Sequence, residues 1–471
     1  MNARRFTLLL VMVLLAAFAV ACTAQPAEEP PAGDTGETTD TTDTADEPEE
    51  DPADEPEEEP VDEPEEDPAD EPEEESADGE RVFTIGVLGP FTGPSARTGQ
   101  EFQASAEMAL ENIDYTIGDY TIEVVWIDSQ SDPEAATRAY EEAIVQDGVE
   151  AGAINWHSSV SVAVMEVTAN HQVPHFFGFG ATEVVNEKFN EDQETYGYWT
   201  TKGWPTPDKL SQNYVTAIED AIEAGEFDPG DEKRAAIYGE DTDWGRSFGD
   251  GIAGQLEEVG WEVVDYQYFP IEQTEFYPLL NRFADQDLDL IAGTSTAPPS
   301  LSAFIKQADE VGLTSLIIAD GLGWVGEWYE LTGESSNYVL DQIPGWTTDA
   351  SLEFAEAFEE KAGIVPSPSS GGLSYDGMNF FIKVLQDTYD THGELSKETV
   401  YQTVQDKVWT GELTYTAEDG AIVMNEYDFS EPPDPIVGAG YYTFPVLQYM
   451  DGEGQTIWPP EFKQTELQMK P

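Results

Sequence analysis

The amino-acid sequence predicts an α/β protein of two lobes, each a parallel sheet covered by helices, preceded by a disordered acidic stalk. First, 471 residues exceed one ordinary hydrophobic core. Second, from about residue 81 onward short β-rich apolar runs alternate with segments whose apolar residues recur at helical spacing. Third, residues 23–80 are acidic and proline-rich and contain almost no large apolar side chain.

Residues 1–22 have the layout of an export signal. Arg4 and Arg5 precede an apolar stretch that is short for a membrane span of about 20 residues, and acidic residues rather than basic ones follow it. Cys22, the only cysteine of the chain, follows small residues and so resembles the cysteine of a bacterial lipobox. That resemblance implies lipidation of Cys22; a retained anchor helix and a chance cysteine at an ordinary cleavage site are the alternatives.

Residues 23–80 hold 28 Asp and Glu and no Lys or Arg, and residues 46–61 recur nearly unchanged as 62–77. Such a segment cannot bury enough surface to offset the entropy lost on ordering. Charge repulsion and proline keep it extended, with a contour on the order of 170 Å at about 3 Å per residue. Any calcium binding would be loose, because the repeat lacks a glycine-centred loop of spaced ligands.

The rest of the chain is also acidic. Without the leader and the acidic stretch, 69 of the 97 acidic and 17 of the 19 basic residues remain, a net charge of −52 over 391 residues. A surface of this charge therefore disfavours nucleic acid as a partner. A surface this acidic favours an ion-rich habitat, since salt screens the repulsion between its charges.

The first lobe begins with a β-rich run, and a helix stripe at Phe102, Ala106 and Leu110 follows it. Asp132 and Pro133 form the predicted cap and first turn of the next helix. Strands are predicted at 82–88, 122–127, 151–155 and 173–177, with a helix at about 160–170. Residues 198–207, with aromatic residues, glycine and two prolines, then break the alternation and predict a crossing into the second lobe.

The second lobe repeats the same alternation. Strands are predicted at 235–238, 262–269, 288–292 and 316–319, and helices at 248–259, 276–284 and 300–311. Open parallel sheets bind ligands at the carboxyl ends of their strands. Two such sheets that face one another form a cleft able to close on a small molecule.

Residues 85–113 (IGVLGPFTGPSARTGQEFQASAEMALENI) resemble the branched-chain amino-acid and amide class of periplasmic binding proteins, the Leu/Ile/Val-binding type of Venus-flytrap fold. The resemblance covers most of residues 81–471 and continues at 154–174, 176–182, 237–251, 302–313 and 372–385. It implies two Rossmann-like lobes joined by three hinge crossings, near 204, 344 and 433. Lobe 1 would hold 81–203 with 345–432, and lobe 2 would hold 204–344 with 433–471.

The resemblance also implies the function of a solute-binding lipoprotein of an ABC importer. Such a protein binds an amino acid, an amide or a similar small polar solute, delivers it to a membrane permease, uses no cofactor and acts as a monomer outside the cytoplasm. A ligand-sensing receptor that signals without transport is the main alternative. A tethered enzyme is a third hypothesis, which a turnover assay would discriminate.

The resemblance implies that the ligand's oxygens are held by Ser158 and Ser159 at a helix start and by Gly180, Ala181 and Thr182 after the next strand. The position of the serine pair at a helix start supports this role independently of the resemblance, because helix N-termini present unpaired N–H groups and a partial positive charge to an anionic oxygen. A plain helix cap is the alternative for the serine pair, and a plain turn is the alternative for residues 180–182.

Four further positions complete the implied site. Thr98 lies where the family packs a residue over the ligand, and Trp244 lies in the loop where many relatives carry a tyrosine lid. Trp156 precedes the serine pair and would line the opposite wall. Asp320 ends a predicted strand and approximates the acidic residue that binds an ammonium group. The alternatives are an exposed loop for Thr98, a structural tryptophan for Trp156 and a turn cap for Asp320.

One departure from the family concerns ligand size. Thr296, Ala297 and Pro298 stand where amino-acid binders often have an aromatic residue. The pocket is therefore expected to admit a different or larger ligand than an amino acid.

Four other kinds of chemistry are disfavoured. Residues 321–326 (GLGWVG) fit a dinucleotide fingerprint, but no helix clearly opens there and Asp320 would face the pyrophosphate. His171 and His175 have the spacing of helical metal ligands, but Pro174 between them interrupts a helix. The chain has no G-x-S-x-G elbow and no second cysteine for a thiol pair.

Overall fold

A computed structural model describes residues 81–230 and 232–471 of the chain. The predicted export signal, Cys22 and the acidic stretch up to residue 80 lie outside these residues. Among the helices of the two described ranges, none has both the length and the apolar composition needed to span a bilayer.

The first sheet has five strands, in the order β2-β3-β1-β4-β5. They are β1 (Arg81–Gly89), β2 (Thr116–Ile117), β3 (Tyr120–Asp128), β4 (Ala151–Ala153) and β5 (His175–Phe176). β1 pairs in parallel with β3 and β4, and β4 pairs in parallel with β5. The four strands predicted from apolar runs are present; antiparallel β2 is too short to show a periodicity.

Helices follow the strands of this sheet, as predicted. They are α1 (Ala96–Glu111), α2 (Pro133–Val145), α3 (Ser158–His171), α4 (Glu183–Glu191) and α5 (Gln193–Tyr196). The Asp132 carboxylate accepts a hydrogen bond from the backbone N–H of Ala135 at 2.7 Å, which is the predicted cap of α2. α3 begins directly at Ser158, with His157 at the N-cap position.

The chain then crosses through α6 (Pro207–Ala224) into a second α/β series. The strands are β6 (Arg234–Glu240), β7 (Glu262–Phe269), β8 (Leu290–Thr294), β9 (Leu316–Asp320) and β10 (Val339–Gln342). The helices are α7 (Asp243–Glu258), α8 (Tyr277–Ala284), α9 (Pro298–Val311) and α10 (Trp328–Thr332). α7 starts at Asp243, earlier than predicted, because the Thr242 hydroxyl caps it by accepting from the Gly245 N–H at 3.2 Å.

The next segment returns to the first sheet. It contains α11 (Asp349–Ala362), α12 (Ser374–His392), α13 (Lys397–Thr403), π-helical turns at Pro368–Leu373 and Val404–Val408, and the small ladder of β11 (Tyr415–Thr416) and β12 (Glu426–Tyr427). α12 packs on α1, where the Asn112 amide donates to the Tyr375 hydroxyl at 2.9 Å. Phe380 of α12 meets Phe176 of β5 edge-on at 5.3 Å.

Finally β13 (Val446–Met450) and β14 (Glu453–Trp458) add an antiparallel edge to the second sheet, whose order is β14-β13-β10-β9-β8-β6-β7. The strands from β6 to β10 are parallel. We call the first sheet with α1–α5 and α11–α13 the first body, and the second sheet with α6–α10 the second body. The predicted fold of two α/β units with mainly parallel sheets is confirmed.

Candidate ligand-binding site

A cavity lies between the two bodies at the carboxyl ends of strands from both sheets. Its empty space, together with its opening to solvent, is about 510 Å³. The first body contributes Trp156, Ser158 and Phe179, which follow β4 and β5. Trp244, Trp324 and residues that follow β8 and β9 come from the second body. Loops converge here because parallel strands end at the same edge of a sheet.

The Ser158 hydroxyl organises the first wall. Its oxygen accepts hydrogen bonds from the backbone N–H groups of Ala181 at 3.1 Å and Thr182 at 3.2 Å. The N–H of Gly180 donates to the Asn155 side-chain oxygen at 3.2 Å. The structure therefore brings the predicted residues 158 and 180–182 together, but only Ser158 among them lines the cavity.

Gly180 permits this close approach. A β-carbon at position 180 would come within 2.0 Å of the Ser161 hydroxyl and 2.9 Å of the Ser158 α-carbon. A larger residue would push the segment 180–182 away from the start of α3.

Trp244 and Thr294 form part of the second wall. The indole N–H of Trp244 donates to the Thr294 hydroxyl at 3.1 Å, and that hydroxyl donates to the backbone oxygen of Asp320 at 2.9 Å. Trp244 lies in the first turn of α7, where the sequence predicted a loop, and is only 7% exposed. It is part of the wall in this closed arrangement.

Asp320 ends β9, as predicted, and its side chain lines the cavity. One carboxylate oxygen accepts a hydrogen bond from the Tyr214 hydroxyl at 2.9 Å. Burial raises the pKa of the Asp320 carboxyl well above its usual range, and the neighbouring charge of Asp341 raises it further. Asp341 itself accepts from the N–H groups of Gly321 and Gly323 and from the Tyr449 hydroxyl.

Aromatic rings form much of the remaining wall. Trp156 and Trp324 stack with ring centroids 4.0 Å apart. Trp204 and Phe179 meet Trp324 edge-on at 5.1 and 5.5 Å. The Trp156 indole N–H donates to the backbone oxygen of Thr296 at 3.1 Å, so this ring is held by both bodies.

The remaining predicted residues lie outside the cavity. Ser159 and Thr182 line an outer depression with Asp241, Asp243 and Arg246. The Ser159 hydroxyl accepts from the Asp243 N–H at 3.2 Å. Thr98 is fully buried in α1, and its hydroxyl has no hydrogen-bond partner within the described ranges.

Polar contacts join the two bodies around the cavity. The Ser95 hydroxyl donates to the Thr296 backbone oxygen at 2.9 Å, and Arg97 forms an ion pair with Glu327. Glu101 of α1 accepts from the Gly326 N–H at 3.2 Å. The conformation is therefore a closed one.

Sequence reasoning missed Phe179, Trp204 and Trp324 as cavity residues. Trp204 lies in the aromatic and proline-rich segment that predicts a crossing between lobes, and Trp324 lies within the residues that fit the dinucleotide fingerprint. Thr296 and Pro298 also line the cavity, at the position flagged as a departure from the family.

The disfavoured chemistries gain no support from the structure. Residues Leu322–Trp324 form a single 3₁₀ turn, and the Asp341 carboxylate already accepts from two N–H groups of the glycine-rich loop. His171 ends α3, whereas His175 lies in β5 and is bonded to the Tyr140 hydroxyl and the Ile154 oxygen. Among residues 81–230 and 232–471, no cluster of His, Cys, Asp and Glu could hold a metal ion.

Two parallel-sheet bodies with a cavity between their strand ends define a protein that encloses a small molecule. The sequence profile of the periplasmic binding protein family matches residues 82–429, and the chain belongs to this family. Its fold is the type I fold of that family.

Several bacterial proteins are similar to the chain. Leu/Ile/Val-binding protein homolog 6 of Brucella suis is 24% identical over 364 residues, which cover 74% of this chain and 86% of the relative. An amino acid binding protein of Pseudomonas aeruginosa is 21% identical over 308 residues, covering 63% of this chain and 74% of the relative.

Solved structures share the fold. A putative branched-chain amino acid ABC transporter protein from Silicibacter pomeroyi has a TM-score of 0.64 at 19% identity, covering 83% of this chain and 99% of its own. A solute binding protein from Rhodopseudomonas palustris BisB5, in complex with 3,4-dihydroxybenzoic acid, has a TM-score of 0.63 at 20% identity, covering 79% and 95%. The relatives are binding proteins, and the prediction that the chain is not an enzyme is confirmed.

Proposed function

We propose that the protein is an extracytoplasmic solute-binding lipoprotein of an ABC importer, which encloses an amino acid, an amide or a similar small polar solute between two lobes. The cavity between Ser158 on one body and Asp320 on the other carries this proposal. Binding energy would stabilise the closed arrangement of the lobes rather than a transition state.

The lobe boundaries are part of the proposal. Lobe 1 holds residues 81–203 with 345–432, and lobe 2 holds 204–344 with 433–471. The packing of α12 on α1 and the pairing of β13 with β10 support this division, because each places a late segment on an earlier sheet. The three crossings near 204, 344 and 433 would act as the hinge.

The N-terminal part of the proposal concerns anchoring. Cys22 would carry the lipid. Residues 23–80 would hold the two lobes away from the membrane surface. The protein would act as a monomer that delivers its solute to the permease. A Cys22→Ser variant should no longer incorporate labelled fatty acid and should leave the membrane fraction. Retention of label in that variant would contradict lipidation at Cys22.

Titration calorimetry on the full chain carrying Cys22→Ser, with a panel of amino acids, amides and small carboxylates, tests the binding function. We expect one class to bind with 1:1 stoichiometry and to change tryptophan fluorescence, since four tryptophans line the cavity. No binding by any small solute would contradict the proposal. Deleting the gene should abolish uptake of the bound solute; loss of a response with uptake intact would favour a sensor.

A further inference from the structure

Tryptophans from four separate chain segments surround the cavity. Trp156 and Trp324 stack with centroids 4.0 Å apart, Trp204 meets Trp324 edge-on at 5.1 Å, and Trp244 also lines the space. Four of the eleven tryptophans of the whole sequence therefore gather at one site. The faces of aromatic rings carry negative charge density and attract cations within about 6 Å. Trp156 and Trp324 each cover one face of the other, so the uncovered ring faces of this wall are those that suit a positively charged, weakly hydrated group.

Asp320 is the only ionisable side chain among the residues that line the cavity. Within the described ranges, its carboxylate receives a single hydrogen bond, from Tyr214. A second acid, Asp341, also acts on the Asp320 carboxyl and raises its pKa, and the oxygens of Asp341 accept from backbone N–H groups and from the Tyr449 hydroxyl. A buried carboxylate without a cation is unfavourable, so a ligand cation would supply the missing partner.

Several other oxygens of the cavity are already engaged. The backbone oxygen of Thr296 accepts from Ser95 and from Trp156, which fills both lone pairs. The Thr294 hydroxyl accepts from Trp244 and donates to the Asp320 backbone.

Glu240 turns two more hydroxyls of this wall away from a ligand. Its carboxylate accepts from the Thr296 hydroxyl at 2.8 Å and from the Ser295 hydroxyl at 3.3 Å. A primary ammonium has three N–H donors and would leave some of them unpaired here. A fully methylated ammonium has no N–H donors, and its methyl groups suit aromatic faces.

Two hydrogen-bond donors at the cavity have no acceptor. The indole N–H of Trp324 is buried and has no partner in the part of the chain that the structure describes. The Ser158 oxygen accepts two backbone N–H groups, and no acceptor for its own proton is present within the same ranges. An anionic oxygen of the ligand would supply the acceptor that both donors lack within these ranges.

We infer that the cavity selects a quaternary ammonium zwitterion of the betaine class, with the trimethylammonium group against the tryptophan faces and Asp320, and the carboxylate on Ser158 and Trp324. This inference rests on the proposed function and specifies the substrate class of the same site.

Calorimetry on the full chain carrying Cys22→Ser, with glycine betaine, choline, glycine, leucine and benzoate, tests it. We expect glycine betaine to bind at least tenfold more tightly than glycine, its unmethylated counterpart, and more tightly than leucine or benzoate. Tighter binding of glycine, leucine or benzoate would overturn the betaine assignment and leave the solute-binding function intact. Absence of binding by all five solutes would overturn the betaine assignment, whereas the solute-binding function would be overturned only if the wider panel of amino acids, amides and small carboxylates also failed to bind.

Two variants separate the parts of the recognition. Asp320→Asn keeps the shape of the side chain and an acceptor for Tyr214 but removes the charge. It should weaken the binding of choline and of glycine betaine by tenfold or more. Asp376→Asn is the matched control, a buried carboxylate bonded to Ile422, Val423 and Tyr427 in the first body. Equal losses in both variants would contradict a charge-specific role for Asp320.

Trp324→Phe keeps an aromatic face and removes the indole N–H. This variant should bind glycine betaine more weakly than the parent does, with a smaller loss for choline, which has no carboxylate. Equal losses of affinity for the two ligands would overturn the proposed carboxylate contact. Thermal unfolding of each variant shows whether it is folded. If Trp324→Phe does not fold, Ser158→Thr, which keeps the hydroxyl, and Ser158→Ala provide the same comparison.

Discussion

The hydroxyl oxygens of Thr182 and Ser247 lie 2.8 Å apart and join the first body to the second at the outer depression beside the cavity. Thr182 belongs to the segment that the resemblance assigned to ligand binding, yet its side chain contacts the opposite body. Its hydroxyl also accepts from the Val184 N–H at 3.5 Å and so caps α4.

Ser247→Ala should therefore weaken ligand binding without a direct ligand contact. Losing one net hydrogen bond of the closed arrangement removes about 0.5–1.5 kcal/mol, or roughly a threefold to tenfold loss of affinity. Calorimetry with the tightest ligand of the panel measures the change. The matched variant Thr182→Ala should show a similar loss of affinity and also a lower melting temperature, because the cap of α4 is lost. Unchanged affinity in Ser247→Ala would contradict a closing role for this pair.

Ser158→Ala should destabilise the protein as well as weaken binding. The resemblance implied that Ser158 holds an oxygen of the ligand, with a plain helix cap as the alternative, whereas in the structure its hydroxyl oxygen accepts from the N–H groups of Ala181 and Thr182. Leaving buried donors unpaired costs about 1–3 kcal/mol. Chemical denaturation of the ligand-free protein measures this. Ser159→Ala is the control, because within the described ranges the Ser159 hydroxyl accepts a single hydrogen bond, from the Asp243 N–H. An unchanged free energy of unfolding in Ser158→Ala would contradict the structural role.

Stability should fall as the pH rises from about 5 to 8. The pKa of Glu101 is raised to about 7 from an ordinary 4.5, because the carboxyl is buried. Its contacts with Arg97, Ser370 and Ser367 lower the pKa, but by less than burial raises it. The folded state therefore holds this proton more strongly than the unfolded state. The resulting stability is fully present below about pH 4.5 and is lost as the pH rises through 7.

Glu101→Gln tests the pH prediction. The variant should be less stable overall, since the glutamine keeps only one acceptor oxygen for the donors around position 101. Its melting temperature should nevertheless change less between pH 5 and 8 than that of the parent. Measurements in molar salt reduce the contribution of surface acids. An equal slope in both proteins would remove Glu101 as a source of the pH dependence.

Salt should stabilise the folded protein. Residues 81–471 carry a net charge of −52, and repulsion among these charges opposes the compact state. Raising the ionic strength from about 0.01 to 1 M shortens the screening length from about 30 to 3 Å. We expect the melting temperature to rise with sodium chloride. No rise would contradict adaptation of this surface to an ion-rich habitat.

The sequence by itself determined the α/β class and most of the elements. The apolar run of β1 and the Asp132 cap of α2 are local features, because hydrophobic periodicity and capping depend on residues close together in the chain. It also located Trp156, Ser158 and Asp320, since each lies at the end of a predicted strand or the start of a helix, where parallel sheets place their sites.

Only the tertiary structure decided what these residues contact. Ser158 meets the backbone of Ala181, and Trp156 meets Trp324, across separations in the chain that no local pattern encodes. Thr182 and Ser247 come together only because the two bodies close. A cavity of this kind is formed by the packing of distant segments, so its aromatic wall, and the lack of a cationic partner for Asp320 within the described ranges, became visible only in the tertiary structure.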